Sequence, residues 1–250
     1  MSILIGDLKI ADIGRYINLD RRVDRNKKIL DELDSKKITG IKRKSAHTGM
    51  HCGRSSIIAT TFQLYQEFLK TGKDTMIVLE DDCKFIDRLY IERNKIFTDI
   101  YNSSWDLFWL GCHHRRPIRS RGNNCFQVSS PVYCQSYIIK RDLALSFVKD
   151  YNDYNECNER DVSILDTSNA GLDELLCLYV NGGKDLVTNA LSNGYYKLEQ
   201  PLDIYKPKFI ALCYKEPLST QYNSRSDTTD TDTNLEDWLL TPYPIETSNI

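Results

Sequence analysis

Apolar positions in the N-terminal part of the chain recur at two spacings, one typical of strands and the other of helices. The segment "GRYINLD" (14–20) predicts a short strand, and "IKRKSAHTG" (41–49) predicts a second strand before a turn. Between them, "DRNKKILDELDSK" (24–36) surrounds apolar residues at helical spacing with charges, which predicts a surface helix.

The next periodic segment, "SSIIATTFQLYQEFLKTG" (55–72), predicts a longer amphipathic helix. Its apolar residues fall on one face at spacings of three and four. Ser55 or Ser56 can cap its start, and Gly72 can end it.

Short apolar runs and further helical patterns then alternate along the chain. "TMIVLE" (75–80), "WDLFWLG" (105–111) and "PVYCQSYIIK" (131–140) predict strands, whereas "RDLALSFVKDY" (141–151) and "GLDELLCLYV" (171–180) predict helices. Strands that alternate with helices predict an α/β domain with a mainly parallel central sheet.

The C-terminal residues differ in composition from the rest. The segment "STQYNSRSDTTDTDTNLEDW" (219–238) is polar, acidic and nearly devoid of aliphatic residues. We therefore predict one folded domain over residues 1–217 and an acidic, flexible tail over residues 218–250.

Composition and charge exclude some classes of protein. The 250 residues are 41% hydrophobic and carry a net charge of only −2, so we expect a globular protein with no nucleic-acid partner. Residues 1–54 hold 13 Lys and Arg against 7 Asp and Glu, so an anionic ligand or plain surface solvation could explain this basic part. The chain has no apolar run of about 18 residues, which predicts that it has no membrane span.

The N-terminal segment and the cysteines predict a location. "MSILIGDLKI" has no basic region before its apolar stretch and does not resemble a signal peptide, so we expect a cytoplasmic protein. The eight cysteines have no CxxC spacing, which favours reduced thiols in that compartment. The cluster "GCHH" (111–114) fits no standard zinc motif.

Three adjacent carboxylates, Glu80, Asp81 and Asp82, follow the predicted strand "TMIVLE". In open α/β sheets ligands lie at the carboxyl ends of strands. Side chains alternate along an extended chain, so Glu80 and Asp82 should point to one side and Asp81 away from them. Two such carboxylates suit Mn²⁺ or Mg²⁺, which could also hold phosphate oxygens. The alternative is a surface turn that water solvates.

The surrounding motifs resemble those of glycosyltransferase family 25. "INLDRRVDR", "CGRSS" and "VLEDD" are similar to the family's Asn-Leu-x-x-Arg-x-x-Arg, Gly-Cys-x-x-Ser-His and Leu-Glu-Asp-Asp motifs. Weaker similarities follow in the family's order in "SAHTG", "WDLFWLG", "CQSYIIKRDLA", "GLDELLCLY" and "EPLSTQYNSRSDT", and together they cover most of residues 14–228. The matching positions are Asn18, Leu19, Arg22, Arg25, Cys52, Ser55 and Leu79–Asp82.

This resemblance implies a GT-A fold, which is a Rossmann-like domain that binds a nucleotide sugar through a metal. The implied reaction moves galactose or glucose from a UDP-sugar to a hydroxyl of a glycan or a hydroxylysine-type protein acceptor. Glu80 and Asp82 would hold Mn²⁺ or Mg²⁺, and this metal would stabilise the charge of the leaving phosphate.

The resemblance also implies a donor-binding set. Asn18 would receive the uridine, although an Asn there could simply form a turn. Arg22 and Arg25 would contact the diphosphate, or they could pair with Asp20 or Asp24 on the surface. The remaining predicted members of the set are Ser55 and Asp81.

Asp173 matches a later Asp of the family, and the resemblance implies that it is the general base for the acceptor hydroxyl. Glu174 is the alternative base. A helix cap is the structural explanation for an acid in the first turn.

One departure from the family supports a second hypothesis. The family's Ser-His pair is Ser55-Ser56 here, and His51 takes the place of the preceding Gly. The chain could therefore be a GT-A domain that binds a glycan or a protein without turnover. A metal-dependent phosphotransferase is a further alternative, but the chain has no nucleophilic Asp after a first strand in the spacing such enzymes use.

Overall fold

A computed structural model describes residues 2–48, 53–114, 119–128, 131–151, 171–192, 207–222, 224–225 and 232–233. The strands in these residues are β1 (Ile3–Ile5), β2 (Leu8–Ala11), β3 (Ile13–Asn18), β4 (Ile38–Thr39), β5 (Lys42–Ser45), β6 (Thr75–Glu80), β7 (Cys83–Phe85), β8 (Leu107–His114), β9 (Arg119–Ser120), β10 (Cys125–Gln127), β11 (Pro131–Lys140), β12 (Ala211–Tyr214), β13 (Ser219–Gln221), β14 (Ser224–Arg225) and β15 (Asp232–Thr233). The helices are α1 (Val23–Ser35), α2 (Gly53–Lys70), α3 (Asp87–Ile91), α4 (Arg93–Tyr101), α5 (Arg141–Asp150) and α6 (Leu172–Ser192).

Eight of the described strands form one central sheet in the order β5-β3-β6-β11-β8-β12-β10-β9. The pairs β3–β5, β3–β6 and β8–β12 are parallel. Strand β11 runs antiparallel to both β6 and β8, and β10 runs antiparallel to both β12 and β9. Six of these eight strands therefore point in one direction, which confirms the predicted α/β class with a mainly parallel sheet.

Helices cover both faces of this sheet. On one face α2, α5 and α6 pack on side chains such as Val78 and Trp109. On the other face α1, α4 and a small sheet of β2, β1 and β4 pack on Ile77, Leu79 and their neighbours. Strand β6 is buried on both sides, because its continuous apolar run has no polar face to turn towards water.

The predicted helix over residues 55–72 is confirmed as α2, with a shifted start. The helix begins at Gly53, so Ser55 and Ser56 lie in its first turn instead of capping it. Its end agrees with the prediction, because Gly72 adopts a φ of 69° and its N–H donates to the carbonyl oxygen of Leu69.

The segment predicted to begin the flexible tail is partly folded. Strand β13 pairs antiparallel with β7, and Leu218 and Ser219 are fully buried. The packed part of the chain thus extends past the predicted boundary at residue 217. The physical reason is that the backbone of β13 hydrogen-bonds to β7, so this polar segment needs no apolar pattern to remain in the fold. Apart from β14 and β15, the residues after Tyr222 lie outside the described part.

Among the described residues, no helix has both the length and the apolar composition that crossing a membrane requires.

Candidate functional site

The acidic residues predicted from the sequence lie at the carboxyl edge of the central sheet. Strand β6 ends at Glu80, and the chain then turns through Asp81 and Asp82 before it enters β7. Strand β3 runs parallel beside β6, with Ile17 opposite Glu80, so Asn18 ends at the same edge. Two strand ends therefore bring Asn18 and the three carboxylates together, as the sequence predicts.

Arg25 joins two of the three carboxylates. Its Nη1 donates to Asp81 Oδ1 and to Asp82 Oδ2, each at 3.0 Å. All three side chains are at least nine-tenths buried. The prediction that Asp81 points away from Asp82 is therefore wrong, since one nitrogen contacts both. The alternation of an extended strand ends at Glu80, and the turn that follows brings the next two side chains together.

Asn18 fixes the second oxygen of Asp81. Its Nδ2 donates to Asp81 Oδ2 at 2.7 Å and to the carbonyl oxygen of Arg22 at 3.0 Å. Its Oδ1 accepts a hydrogen bond from Arg43 Nε at 2.9 Å. In this structure Asn18 therefore organises the acidic cluster, and a role with uridine stays a prediction.

Arg22 adopts the surface pairing that the sequence left open. Its Nε and Nη2 donate to the two carboxylate oxygens of exposed Asp24, each at 3.0 Å. These bonds lower the pKa of Asp24 to about 2. Arg22 and Arg25 thus differ in environment although they belong to one sequence motif, because Arg22 precedes α1 and Arg25 lies in its first turns, against the sheet edge.

The two carboxylate oxygens of Asp82 differ in their hydrogen bonding. Gln221 of β13 donates its Nε2 to Asp82 Oδ2 at 2.6 Å, so this oxygen accepts from both Gln221 and Arg25. Asp82 Oδ1 is buried, and none of the described residues donates a hydrogen bond to it. Burial is the largest influence on this carboxyl and, together with the charge of Asp81, raises its pKa to about 6 against the opposing effect of Arg25.

Glu80 and Asp173 extend the negative charge towards α6. Burial raises the pKa of Glu80 well above its usual value, and the charges of Asp82, Asp173 and Asp81 raise it further. Asp173, in the first turn of α6, is thus close enough to Glu80 to affect its ionisation.

The two acids predicted as alternative bases have different surroundings. Glu174 Oε2 accepts a hydrogen bond from the N–H of Gly171 at 3.0 Å, which is how a capping box uses the third residue of a helix. Asp173 Oδ1 accepts from the N–H of Glu174 at 2.9 Å. Both carboxylates therefore bind backbone N–H groups at the start of α6, and which of them is the base stays a prediction.

The acidic cluster contains carboxylate oxygens of the kind that bind a divalent cation. Within the described ranges, no group of three His, Cys, Asp or Glu side chains is arranged to hold a metal ion. A Mg²⁺-type ion in a phosphate-transfer site needs only one or two carboxylates, because waters and substrate phosphates complete its shell. Asp82 Oδ1 and the neighbouring Glu80 fit that requirement, because they are the right oxygen donors and carry negative charge that a cation would stabilise.

Ser55 and Gln221 are the remaining residues to place relative to the acidic cluster. Ser55 is in α2, but its side chain lies outside the described part of the chain. Gln221 was not predicted as a site residue, although it lies in "EPLSTQYNSRSDT", one of the segments with a weaker similarity to the family. Its contact with Asp82 spans 139 residues, and no local pattern could indicate it.

The chain was compared with known proteins. No protein-family model matches it, and neither does any curated protein sequence. Solved structures that resemble it include A197 from STIV, at 13% identity and a TM-score of 0.35 over 54% of this chain and 68% of that one. A glycosyltransferase involved in the glycosylation of the major capsid of PBCV-1 has 9% identity and a TM-score of 0.40 over 62% and 74%.

A nucleoside-diphosphate-sugar pyrophosphorylase from Vibrio cholerae RC9 also resembles the chain, at 10% identity and a TM-score of 0.32 over 80% of this chain and 71% of that one. At these identities and TM-scores the similarities support no conclusion about family or activity. The function is therefore argued from the residues of the chain itself.

Proposed function

We propose that this chain is a metal-dependent glycosyltransferase related to family 25, which moves a hexose from a UDP-sugar to a hydroxyl of a glycan or protein acceptor. The observation that carries the proposal is the buried Oδ1 of Asp82, just past the carboxyl end of an inner strand, which has no hydrogen-bond partner among the residues that the structure describes. A buried acceptor without a partner costs stability, so its presence favours a ligand that binds there. The resemblance of the surrounding motifs to family 25 supports sugar transfer as the reaction.

In this proposal Glu80 and Asp82 hold Mn²⁺ or Mg²⁺. The bound ion would stabilise the negative charge of the departing nucleotide diphosphate. Arg25 and Gln221 hold Asp82 by its Oδ2, which leaves Oδ1 as the oxygen that can bind a cation. Asn18 and Arg25 fix Asp81 in the same way through both of its oxygens.

Asp173 is the proposed general base. It would accept the proton of the acceptor hydroxyl as that oxygen attacks the anomeric carbon of the donor sugar. Asp173 is close enough to Glu80 for its charge to raise the pKa of Glu80. This supports the role, because the general base must lie near the site that binds the donor sugar. The carboxylate of Asp173 is held by the hydrogen bond that its Oδ1 accepts from the N–H of Glu174.

The substitution Asp82→Asn tests the proposal. It keeps the shape of the side chain and one acceptor oxygen for Arg25 and Gln221, but replaces the other oxygen with an NH2 group and removes the charge that would bind the cation. We expect Mn²⁺-dependent hydrolysis of UDP-glucose or UDP-galactose to fall by about a hundredfold or more. The rise in melting temperature on addition of UDP and Mn²⁺ should also disappear. Asp87→Asn, an exposed acid that pairs with Lys36, is the matched control.

Two results would contradict the proposal. One is a wild-type protein that neither hydrolyses nor is stabilised by any UDP-sugar with Mn²⁺. The other is an Asp82→Asn variant with wild-type rates, which would refute the metal site and leave the fold-level interpretation unaffected.

A non-catalytic binding protein is the second candidate, and one observation favours it. The guanidinium of Arg25 already lies between Asp81 and Asp82, where it supplies positive charge without a metal. A UDP-sugar that binds with equal affinity in EDTA and in Mn²⁺, and is not turned over, would support this candidate.

A further inference from the structure

Gln135 lies beside the acidic cluster, on the strand next to β6. The last pair of the antiparallel β6–β11 ladder is Leu79 with Ser136, so the next position outward places Gln135 beside Glu80. Gln135 and Glu80 therefore lie beside each other along one edge of the sheet.

Contacts with β13 fix the amide of Gln135. Its Nε2 donates to Ser219 Oγ at 3.2 Å, and Ser219 Oγ also lies 2.5 Å from Ser136 Oγ. Beneath them is Gly111, where a Cβ atom would lie only 2.5 Å from Gln135 Nε2. The lack of a side chain at Gly111 thus creates the space that the amide of Gln135 occupies.

The other end of the same amide has no partner. Gln135 is 2% exposed, and its Oε1 forms no hydrogen bond within the described part of the chain. Because Nε2 is bound to Ser219, the amide cannot rotate to satisfy Oε1 without losing that bond. Buried carbonyl oxygens of this kind are nearly always satisfied, so Oε1 indicates a hydrogen-bond donor from outside the chain.

The chemistry of the surroundings restricts what that donor can be. The nearby groups are acceptors, Glu80 across the strand pair and Asp82 through β13, where Gln221 contacts it two residues after Ser219. An anionic group facing these carboxylates without a cation between them would be repelled. A neutral ligand with several hydroxyl groups would be favoured, because each O–H can donate to one of these oxygens.

We propose that Gln135 is a donor-recognition residue, whose Oε1 accepts a hydrogen bond from a ring hydroxyl of the hexose of the bound UDP-sugar. This inference rests on the proposed function and assigns a sugar-binding role to a residue that is not among the predicted site residues. Gln135 acts on the hexose alone, and the uridine and the diphosphate are bound by other residues.

Titration calorimetry with UDP and with UDP-glucose or UDP-galactose, in the presence of Mn²⁺, tests the proposal. In Gln135→Met we expect the affinity for the better UDP-hexose to fall about five- to tenfold, the loss typical of one neutral hydrogen bond. The affinity for UDP should stay within twofold of the wild-type value. Gln135→Asn, which withdraws the oxygen by one methylene and keeps the amide, should show the same selective loss.

A second measurement changes the sugar as well as the protein. Among monodeoxy analogues of the preferred UDP-hexose, one should bind the wild-type protein about five- to tenfold more weakly than the parent sugar. That analogue should bind Gln135→Asn and the wild-type protein equally. Gln127→Met, at a glutamine of β10 that bonds to Arg121, is the matched control and should leave both affinities unchanged.

The outcomes separate this inference from the proposed function. A wild-type protein that binds neither UDP nor a UDP-hexose overturns both. Equal losses for UDP and UDP-hexose in the Gln135 variants, or a donor complex in which a water is the sole partner of Oε1, overturn this inference alone.

Discussion

Arg25 shows how a single residue can have a role that its motif does not reveal. The motif "NLDRRVDR" predicts two arginines that contact phosphates, yet Arg25 is buried against Asp81 and Asp82 whereas Arg22 pairs with exposed Asp24. The sequence could indicate that positive charge was needed near the acids. It could not show which arginine faces them, because that depends on where α1 packs on the sheet.

Removal of the Arg25 side-chain charge should cost considerable stability. In Arg25→Gln, two buried carboxylates lose the guanidinium that compensates their charge, and we expect the free energy of unfolding to fall by roughly 3–5 kcal/mol. Urea denaturation in EDTA at neutral pH measures this loss. The double variant Arg25→Gln/Asp81→Asn should be less destabilised than the sum of the single changes, because the two groups interact.

Arg22→Gln provides the control for this measurement. Its ion pair is exposed on one side, and such pairs contribute only about 0–1 kcal/mol. If the two arginine variants were equally stable, the proposed compensation of Asp81 and Asp82 by Arg25 would be wrong.

Strand β13 is the element whose role the sequence concealed most fully. "STQ" has no apolar alternation, so hydrophobic pattern predicts a polar tail, although Ser219 and Thr220 are almost completely buried. Its place depends on a backbone ladder with β7, on the hydrogen bond that Ser219 accepts from Gln135, and on the one that Gln221 donates to Asp82. The apolar runs of β3, β6 and β8, in contrast, predict their strands, because burial on a sheet is visible in hydrophobicity.

Gly111→Ala should displace β13. A Cβ atom at residue 111 would collide with the carbonyl oxygen and the hydroxyl of Ser219, so the strand has to shift outward. We expect a loss of about 1–3 kcal/mol in the free energy of unfolding, as for other overpacked sites. Amide hydrogen exchange of residues 219–221 should become faster, and affinity for UDP with Mn²⁺ should fall because Gln221 moves away from Asp82.

Gly122→Ala separates local strain from displacement of β13. No atom of the described residues lies within 4 Å of a Cβ at residue 122, but the φ of 78° makes the substitution strained. It should lower stability without any change in exchange at 219–221. Unchanged exchange in Gly111→Ala would contradict the close approach of β13 to β8.

At the scale of the whole molecule, the sequence predicts the layers of the fold better than the directions of its strands. The alternation of apolar runs and helices predicts a covered α/β sheet, and both faces are indeed packed. The reversal of β11 could not be predicted, because "PVYCQSYIIK" has the same pattern in either direction. The direction of a strand depends on the edge of the sheet at which its connections cross. The pattern of apolar residues does not contain that information.

The cysteines of the two cores offer a measurement of global opening. None of the described cysteines forms a disulfide, and burial raises the pKa of the thiols of Cys83, Cys125 and Cys213. Thiolates are the reactive species, so these residues should resist N-ethylmaleimide in the native protein at pH 8 and react fully in urea. Mass spectrometry of the labelled peptides reports this, and rapid native labelling of Cys83 would contradict its burial beside β13.

The hydrogen bond between Gln221 and Asp82 also determines at which stage of synthesis the site can be completed. A ribosome releases the N-terminal residues first, so β3, α1 and β6 can associate and Arg25 can meet Asp81 while later residues are still being made. Gln221 is synthesised 139 residues after Asp82. A nascent or prematurely terminated chain that ends before β13 would therefore retain much of its sheet but lack the finished site.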